Sequence, residues 1–182
     1  MSLVPQALLL TGAPGVGKTT IVRQAVASFR GPAAGFYTEE VRQGGGRVGF
    51  DLVTLDGQRA PLARAGLSSP YRVGRYGVDI TSLEGVGVPA LRRAIGEGGL
   101  VVVDEIGKME LFAPGFRQVV AEALEAGNRI LGTIMLGSHP WADGLKRDSR
   151  VQVLTLTREN RQGVTWRVAQ WLEKVRTKVV QE

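Results

Sequence analysis

The run from Gly12 to Thr19, GAPGVGKT, constrains this chain more than any other stretch. It meets the pattern G-x-x-x-x-G-K-[S/T] at every fixed position. Ahead of it, Ala7–Thr11 is short, continuous and apolar, as a buried strand would be. Behind it, Ile21, Val22, Ala25, Val26 and Phe29 recur at helical spacing until Gly31-Pro32 stops the pattern. A strand, a glycine loop and a helix in that order aim the free N–H groups and positive pole of the helix at the loop. Glycines let the loop backbone turn its own N–H groups inward, in conformations that side chains forbid. The ligand expected there is a phosphate chain. The predicted binding loop is Gly12, Ala13, Pro14, Gly15, Val16, Gly17, Lys18, Thr19 and Thr20. Lys18 would reach the β- and γ-phosphates and offset the charge that develops during transfer, and Thr19 would set its hydroxyl on Mg²⁺.

A second stretch, LVVVDEIGKME, bears on what happens to the phosphate. Four apolar residues, Leu100–Val103, deliver Asp104 to the end of a central strand, where its carboxylate holds Mg²⁺ beside the loop. Two adjacent acids repel each other, so binding should depend on the metal. Glu105 follows directly, and a carboxylate there can aim at the γ-phosphate and orient a water. That pair favours transfer to water over transfer to a bound acceptor. Lys108 is a candidate phosphate contact and Glu110 reads as scaffold. Thr133, on the strand after the next helix, is a candidate sensor of the γ-phosphate. Arg42, Arg47, Arg59, Arg64, Arg72 and Arg75 are many cations for a region with few acids. Most read as solvated, and Arg75, among glycines, is the candidate arginine finger. In LTLTREN, Arg158 and Asn160 are candidates to lie near a nucleotide base.

The remaining pattern alternates strands and helices. GFYTEEVR and RVGFDLVTL read as a β-hairpin about Gly44–Gly46. Residues 58–76 carry no periodicity that assigns an element. Helices are expected over Ser82–Ile95 and Pro114–Ala126, and strands over Arg129–Met135 and Val151–Thr155. A last helix starts near Glu159–Gly163, with Val164, Val168, Trp171, Leu172, Val175 and Val179 as its apolar stripe and Trp166 off it. The class this predicts is α/β with a largely parallel sheet, carrying the hairpin as an insertion after the first helix. At 182 residues the chain is expected to form one domain over 1–182.

Composition removes several chemistries. With no cysteine, there is neither a disulfide, a thiolate metal site nor a cysteine nucleophile. The single histidine, His139, lies in the turn-rich GSHPWADG and reads as a solvated loop residue. The net charge of +6 suits polyanions, but the basic residues do not cluster, so a nucleic-acid partner is not favoured. No apolar run approaches the ~20 residues that a membrane span needs, and the opening MSLVPQALLL lacks the basic start of a signal peptide. A cytoplasmic monomer is the expectation.

TGAPGVGKTT, GFYTEEVR, GFDLVTLDG, VDEIGKMEL and LGTI together resemble the small P-loop nucleoside-triphosphatases of archaea, bacteria and animals, the cancer-related nucleoside-triphosphatase family. The likeness runs from Leu8 to about Asn160, and GFYTEEVR and DEIGKMEL are its specific parts. It implies a P-loop NTPase three-layer sandwich. It also implies slow, Mg²⁺-dependent hydrolysis of nucleoside triphosphates with broad base tolerance. Two nucleotide-binding segments follow from it: Gly12–Thr19, and Val101, Val102, Val103, Asp104, Glu105, Ile106, Gly107 and Lys108. The sequence departs from the family in the loops Gly66–Arg75 and Gly137–Ser149. Two rival readings stand beside hydrolysis: a nucleotide or nucleoside kinase with its acceptor on the basic middle segment, and a nucleotide-gated module that binds RNA or protein.

Overall fold

The computed structural model describes residues 4–179, with side chains as far as residue 175. Met1–Leu3 and the side chain of Val179 lie outside the described residues. One nine-stranded sheet organises the chain. Its parallel half comprises β2 (Ala33–Gln43), β7 (Leu100–Ile106), β8 (Ile130–Ile134), β1 (Ala7–Thr11) and β9 (Val151–Thr155), side by side in that order. The loop strand β1 is therefore separated from the Asp104 strand β7 by β8 alone.

Both faces of this half are covered, which is why its strands read as unbroken apolar runs. Successive side chains alternate between two cores. Ala7 and Leu9 of β1, with Val101 and Val103 of β7, meet α3 (Val88–Gly96) and α4 (Pro114–Glu125) through Leu91, Phe116, Val119 and Val120. Leu8, Leu10, Leu100 and Val102 meet α1 (Lys18–Ser28) and α6 (Arg161–Val179) through Ile21, Val22, Val168 and Trp171. Trp171 is buried and its indole N–H donates to the Pro5 carbonyl at 2.8 Å, while Trp166 is 64% exposed. Layered helix–sheet–helix packing thus matches the expected sandwich.

The insertion is larger than the hairpin read from sequence. β2 and β3 (Gly46–Thr54) pair antiparallel about Gly44-Gly45 as expected. The sheet then continues through β4 (Arg59–Ala65), β6 (Tyr76–Val78) and β5 (Arg72–Val73), all antiparallel. These strands fill the stretch that sequence left without an element. They are short, and main-chain ladders to one another and, through β4, to β3 hold them where side-chain periodicity is weak. The expected helix from Ser82 comprises a turn, α2 (Ile80–Ser82), a π-helical turn (Leu83–Gly87) and then α3.

GSHPWADG is not a loop. It opens α5 (Pro140–Arg147), and His139 is its N-cap, with Nδ1 accepting from the Trp141 N–H at 3.2 Å. His139 is half-buried and structural rather than solvated. Pro140 takes the first helical position, because its fixed φ suits that site and its missing N–H would have no partner there.

Candidate active site

The glycine loop joins β1 to α1 at the C-terminal end of the parallel strands. Gly17 stands at φ 102°, in the left-handed region, as the N-cap of α1. Gly12 stands at φ 146°, and a Cβ there would lie 2.5 Å from the Leu156 carbonyl oxygen. Glycine is required at both for different reasons: Gly17 for the turn and Gly12 for the close approach of the loop after β9. Lys18 Nζ donates to the Gly12 and Ala13 carbonyls at 2.8 and 3.1 Å, so the ammonium is held against its own loop at the mouth of the cleft.

Asp104 ends the apolar run of β7 and is only 1% exposed. Its Oδ1 accepts from the Thr133 hydroxyl at 2.7 Å, and its Oδ2 is buried with no hydrogen-bond partner. Burial pushes the Asp104 carboxyl above the ordinary range, against the pull of Thr133, Thr19, Arg23 and Lys18. A buried carboxylate oxygen without a donor, beside the Thr19 hydroxyl, is the chemistry that a hard divalent cation satisfies. The described residues hold no group of three acidic or histidine ligands, so such a cation would depend on phosphate oxygens and water for its remaining ligands.

Glu105 lines the cleft beside Lys18 and Thr19. Burial raises its pKa, Lys18 opposes the rise and Asp104 adds to it. The Asp104–Glu105 peptide is cis, and the β7–β8 ladder is interrupted between Val103 and Ile106. Next along, Glu110 is buried, accepts from the Gly107 N–H at 3.2 Å and has a pKa pushed up to about 8 by burial and by the Glu105 charge. The Glu105 and Glu110 carboxylates flank Gly107 so closely that a Cβ there would lie 2.6 Å from one and 3.0 Å from the other.

The structure redistributes several residues singled out in the sequence. Val101, Val102, Val103 and Ile106 are 0–1% exposed in the two cores, so they carry Asp104 to the cleft and do not line it. Thr133 is fully buried and its hydroxyl is committed to Asp104, so it holds that carboxylate instead of facing a phosphate. Arg75 donates to the Arg47 carbonyl and lies outside the cleft lining; the cation that this region brings into the cleft is Arg47. Its neighbours are not merely solvated. Arg59 and Arg64 pair with Asp51, Arg59 and Arg23 with Glu39, and Arg42 and Arg47 with Glu40. Lys108 is exposed and lines the cleft.

The cleft has a volume of about 680 Å³. A second cavity of about 310 Å³ lies on the other side of the loop, between Gly12–Val16, Leu136 and the loop Thr155–Glu159. Arg158 lines it. Asn160 does not, because its amide is spent on the Thr157 N–H at 2.8 Å and the Thr155 carbonyl at 2.9 Å. Leu136, 59% exposed, borders both cavities. Sequence reading missed Leu136 and Arg23. Leu136 follows a buried strand and looks like its continuation. Arg23 looks like a solvated helix residue, yet it lies 4.7 Å over the Tyr37 ring and acts on Asp104.

A family model described as NTPase matches residues 7–169. The nucleoside-triphosphatase THEP1 of Thermotoga maritima is 45% identical over 154 residues, spanning 85% of this chain and 88% of that protein. The human cancer-related nucleoside-triphosphatase is 45% identical over 174 residues, spanning 85% of this chain and 90% of its own length. In three dimensions, the crystal structure of THEP1 from Aquifex aeolicus superposes with a TM-score of 0.84 at 34% identity, covering 92% of this chain and 99% of that one.

Proposed function

The chain belongs to the NTPase family, and from that membership we propose that it hydrolyses nucleoside 5′-triphosphates to the diphosphate and phosphate, with Mg²⁺ and with broad tolerance of the base. The observation that carries this reading is the meeting of Lys18, Thr19, Asp104 and Glu105 at one end of the glycine loop. In it, the N–H groups of Gly12–Thr19 hold the phosphate chain. Lys18 leaves the Gly12 and Ala13 carbonyls for the β- and γ-phosphates. Thr19 and the unpartnered Oδ2 of Asp104 hold Mg²⁺, which when bound neutralises phosphate charge.

Glu105 orients a water and takes its proton as the water oxygen attacks the γ-phosphorus. The bond to the bridging oxygen breaks and the diphosphate leaves. A carboxylate whose pKa burial has raised is a better proton acceptor than an ordinary one. Thr133 keeps Asp104 oriented. Most of the rate comes from positioning and electrostatics.

The nucleoside occupies the cavity behind the loop. Leu136 offers it an apolar surface that suits any ring, and the Asn160 amide, already bonded to its own loop, reads no base edge. That arrangement supports base tolerance. The same reading takes the chain as one domain and as a cytoplasmic monomer, which light scattering checks for the oligomeric state.

Phosphate release from ATP, GTP, CTP and UTP, with and without Mg²⁺, tests the proposal in wild type and Glu105→Gln. Wild type should act on all four with Mg²⁺ alone. The variant should keep nucleotide affinity and lose turnover by roughly 10²-fold or more. A variant as active as wild type refutes the role of Glu105.

A further inference from the structure

The cleft is longer than a phosphate chain needs. In the β2–β7 ladder, Asp104 lies opposite Tyr37, and β2 continues past that point with only β3 beside it. Glu40 stands three residues beyond Tyr37, about 10 Å further along the strand. Over that length the cleft is walled by Phe50, Leu62, Val73 and Met109, with Arg47 and Glu40 at the rim. The nucleoside cavity lies on the opposite side of the loop, so the nucleotide leaves this outer half to another molecule.

The chemistry of the outer half is specific. Arg47 is fixed from three sides. Its Nη1 donates to Glu40 at 2.7 Å and its Nε to the Tyr76 hydroxyl at 3.1 Å, and its guanidinium lies 5.0 Å over the Phe50 ring. Phe50 and Tyr76 pack edge to face at 5.4 Å. Glu40 is shared, because Arg42 also bonds it at 2.9 Å. Arg75 donates to the Arg47 carbonyl, and neither it nor Lys108 has a carboxylate partner among the described residues. At the outer end one carboxylate, Glu40, answers both Arg47 and Arg42, while Glu105 and Glu110 line the cleft toward its inner end; Arg47 and Lys108 border an apolar wall, an arrangement suited to an anion that carries a ring.

We propose that the outer half of the cleft binds a second ligand, a ring-bearing phosphate monoester the size of a nucleoside monophosphate. Its ring lies against Phe50, Leu62 and Val73, and its phosphate meets Arg47 and Lys108. The inference rests on the reading above in one respect, that the triphosphate fills the inner half. Glu105 forms the inner end of the new site, so a ligand filling it displaces the water that Glu105 orients and slows phosphate release.

The test is calorimetric titration of AMP, CMP, GMP and UMP into protein saturated with Mg²⁺ and a β,γ-imido triphosphate. At least one monophosphate should bind saturably without displacing the analogue. Arg47→Gln should weaken that binding roughly tenfold or more, the loss expected for a charge-assisted bond. Phe50→Leu, which keeps apolar volume, should weaken it as well. Both variants should stay folded and retain analogue affinity. The proposal is overturned if no monophosphate binds the loaded protein, if binding expels the analogue, or if both variants bind as wild type does. If wild type fails to bind the analogue, the triphosphate reading is what falls. The same titration on the analogue-free protein and its two variants then decides the outer site.

Discussion

Glu110 makes a prediction that the structure quantifies. Its carboxyl is buried against Gly107 and close to Glu105, and its pKa is raised from 4.5 to about 8. A carboxyl whose folded pKa is raised binds its proton more tightly folded than unfolded. It therefore stabilises the fold relative to the ionised group below the unfolded value, and that contribution is lost as pH rises toward 8. With one pKa unit worth about 1.4 kcal/mol, the loss between pH 5.5 and 7.5 is on the order of 2–3 kcal/mol. Glu110→Gln keeps the shape and the acceptor for the Gly107 N–H but cannot ionise. Urea unfolding of both proteins in EDTA, without nucleotide, measures the difference. Every other titrating group is common to the two, so the difference between the curves reports the titration of Glu110 together with its coupling to Glu105 and Asp104. Wild type should lose roughly 2–3 kcal/mol relative to the variant across that interval, about 5–10 °C in Tm for a chain of this size. Parallel stability curves for the two proteins would refute the reasoning, because Glu110 would then ionise as freely folded as unfolded.

Other consequences are open to direct measurement. Thr133→Val removes the hydroxyl on Asp104 Oδ1 and leaves a buried carboxylate without a donor. Unfolding of the metal-free protein should show a loss of about 1.5–3 kcal/mol, and Mg²⁺-dependent turnover should fall while base tolerance stays. Gly35→Ala places a Cβ 1.9 Å from the Val102 carbonyl oxygen at φ 136°, so circular dichroism should find a misfolded or strongly destabilised chain. Leu136→Ser withdraws the apolar surface beside the nucleoside cavity. It should raise KM for all four triphosphates alike, by roughly tenfold, with kcat little changed; a selective effect on one base would argue against a shape-tolerant contact.

The parallel half of the fold was legible in the sequence because its signals are local. Ala7–Thr11 emerged with the boundaries expected, since a strand buried on both faces must be continuously apolar and its turns must break that run; Val151–Thr155, a half-buried edge strand, also emerged with the boundaries expected. The glycine loop was legible for a similar reason: backbone geometry and a helix start dictate its residue types within eight positions. The antiparallel extension was not. Arg72–Val73 has too few residues to show a period, and a ladder to Tyr76–Gly77 across a tight turn holds it. His139 was misread because an N-cap and a loop share the same polar residues, and only the helix that follows separates them.

The sequence by itself determined the glycine loop Gly12–Thr19 between a strand and a helix and the acid pair Asp104-Glu105 at the end of an apolar strand, because each of these needs a residue type at a fixed local spacing. Tertiary structure alone decided what surrounds them. It committed Thr133 to Asp104 across 29 residues, buried Glu110 against Gly107, turned the hairpin so that Arg47 and Arg42 meet a single Glu40, and opened the cleft past Asp104 along β2. Burial and the packing of strands against one another set those properties, and the residue pattern alone does not encode them.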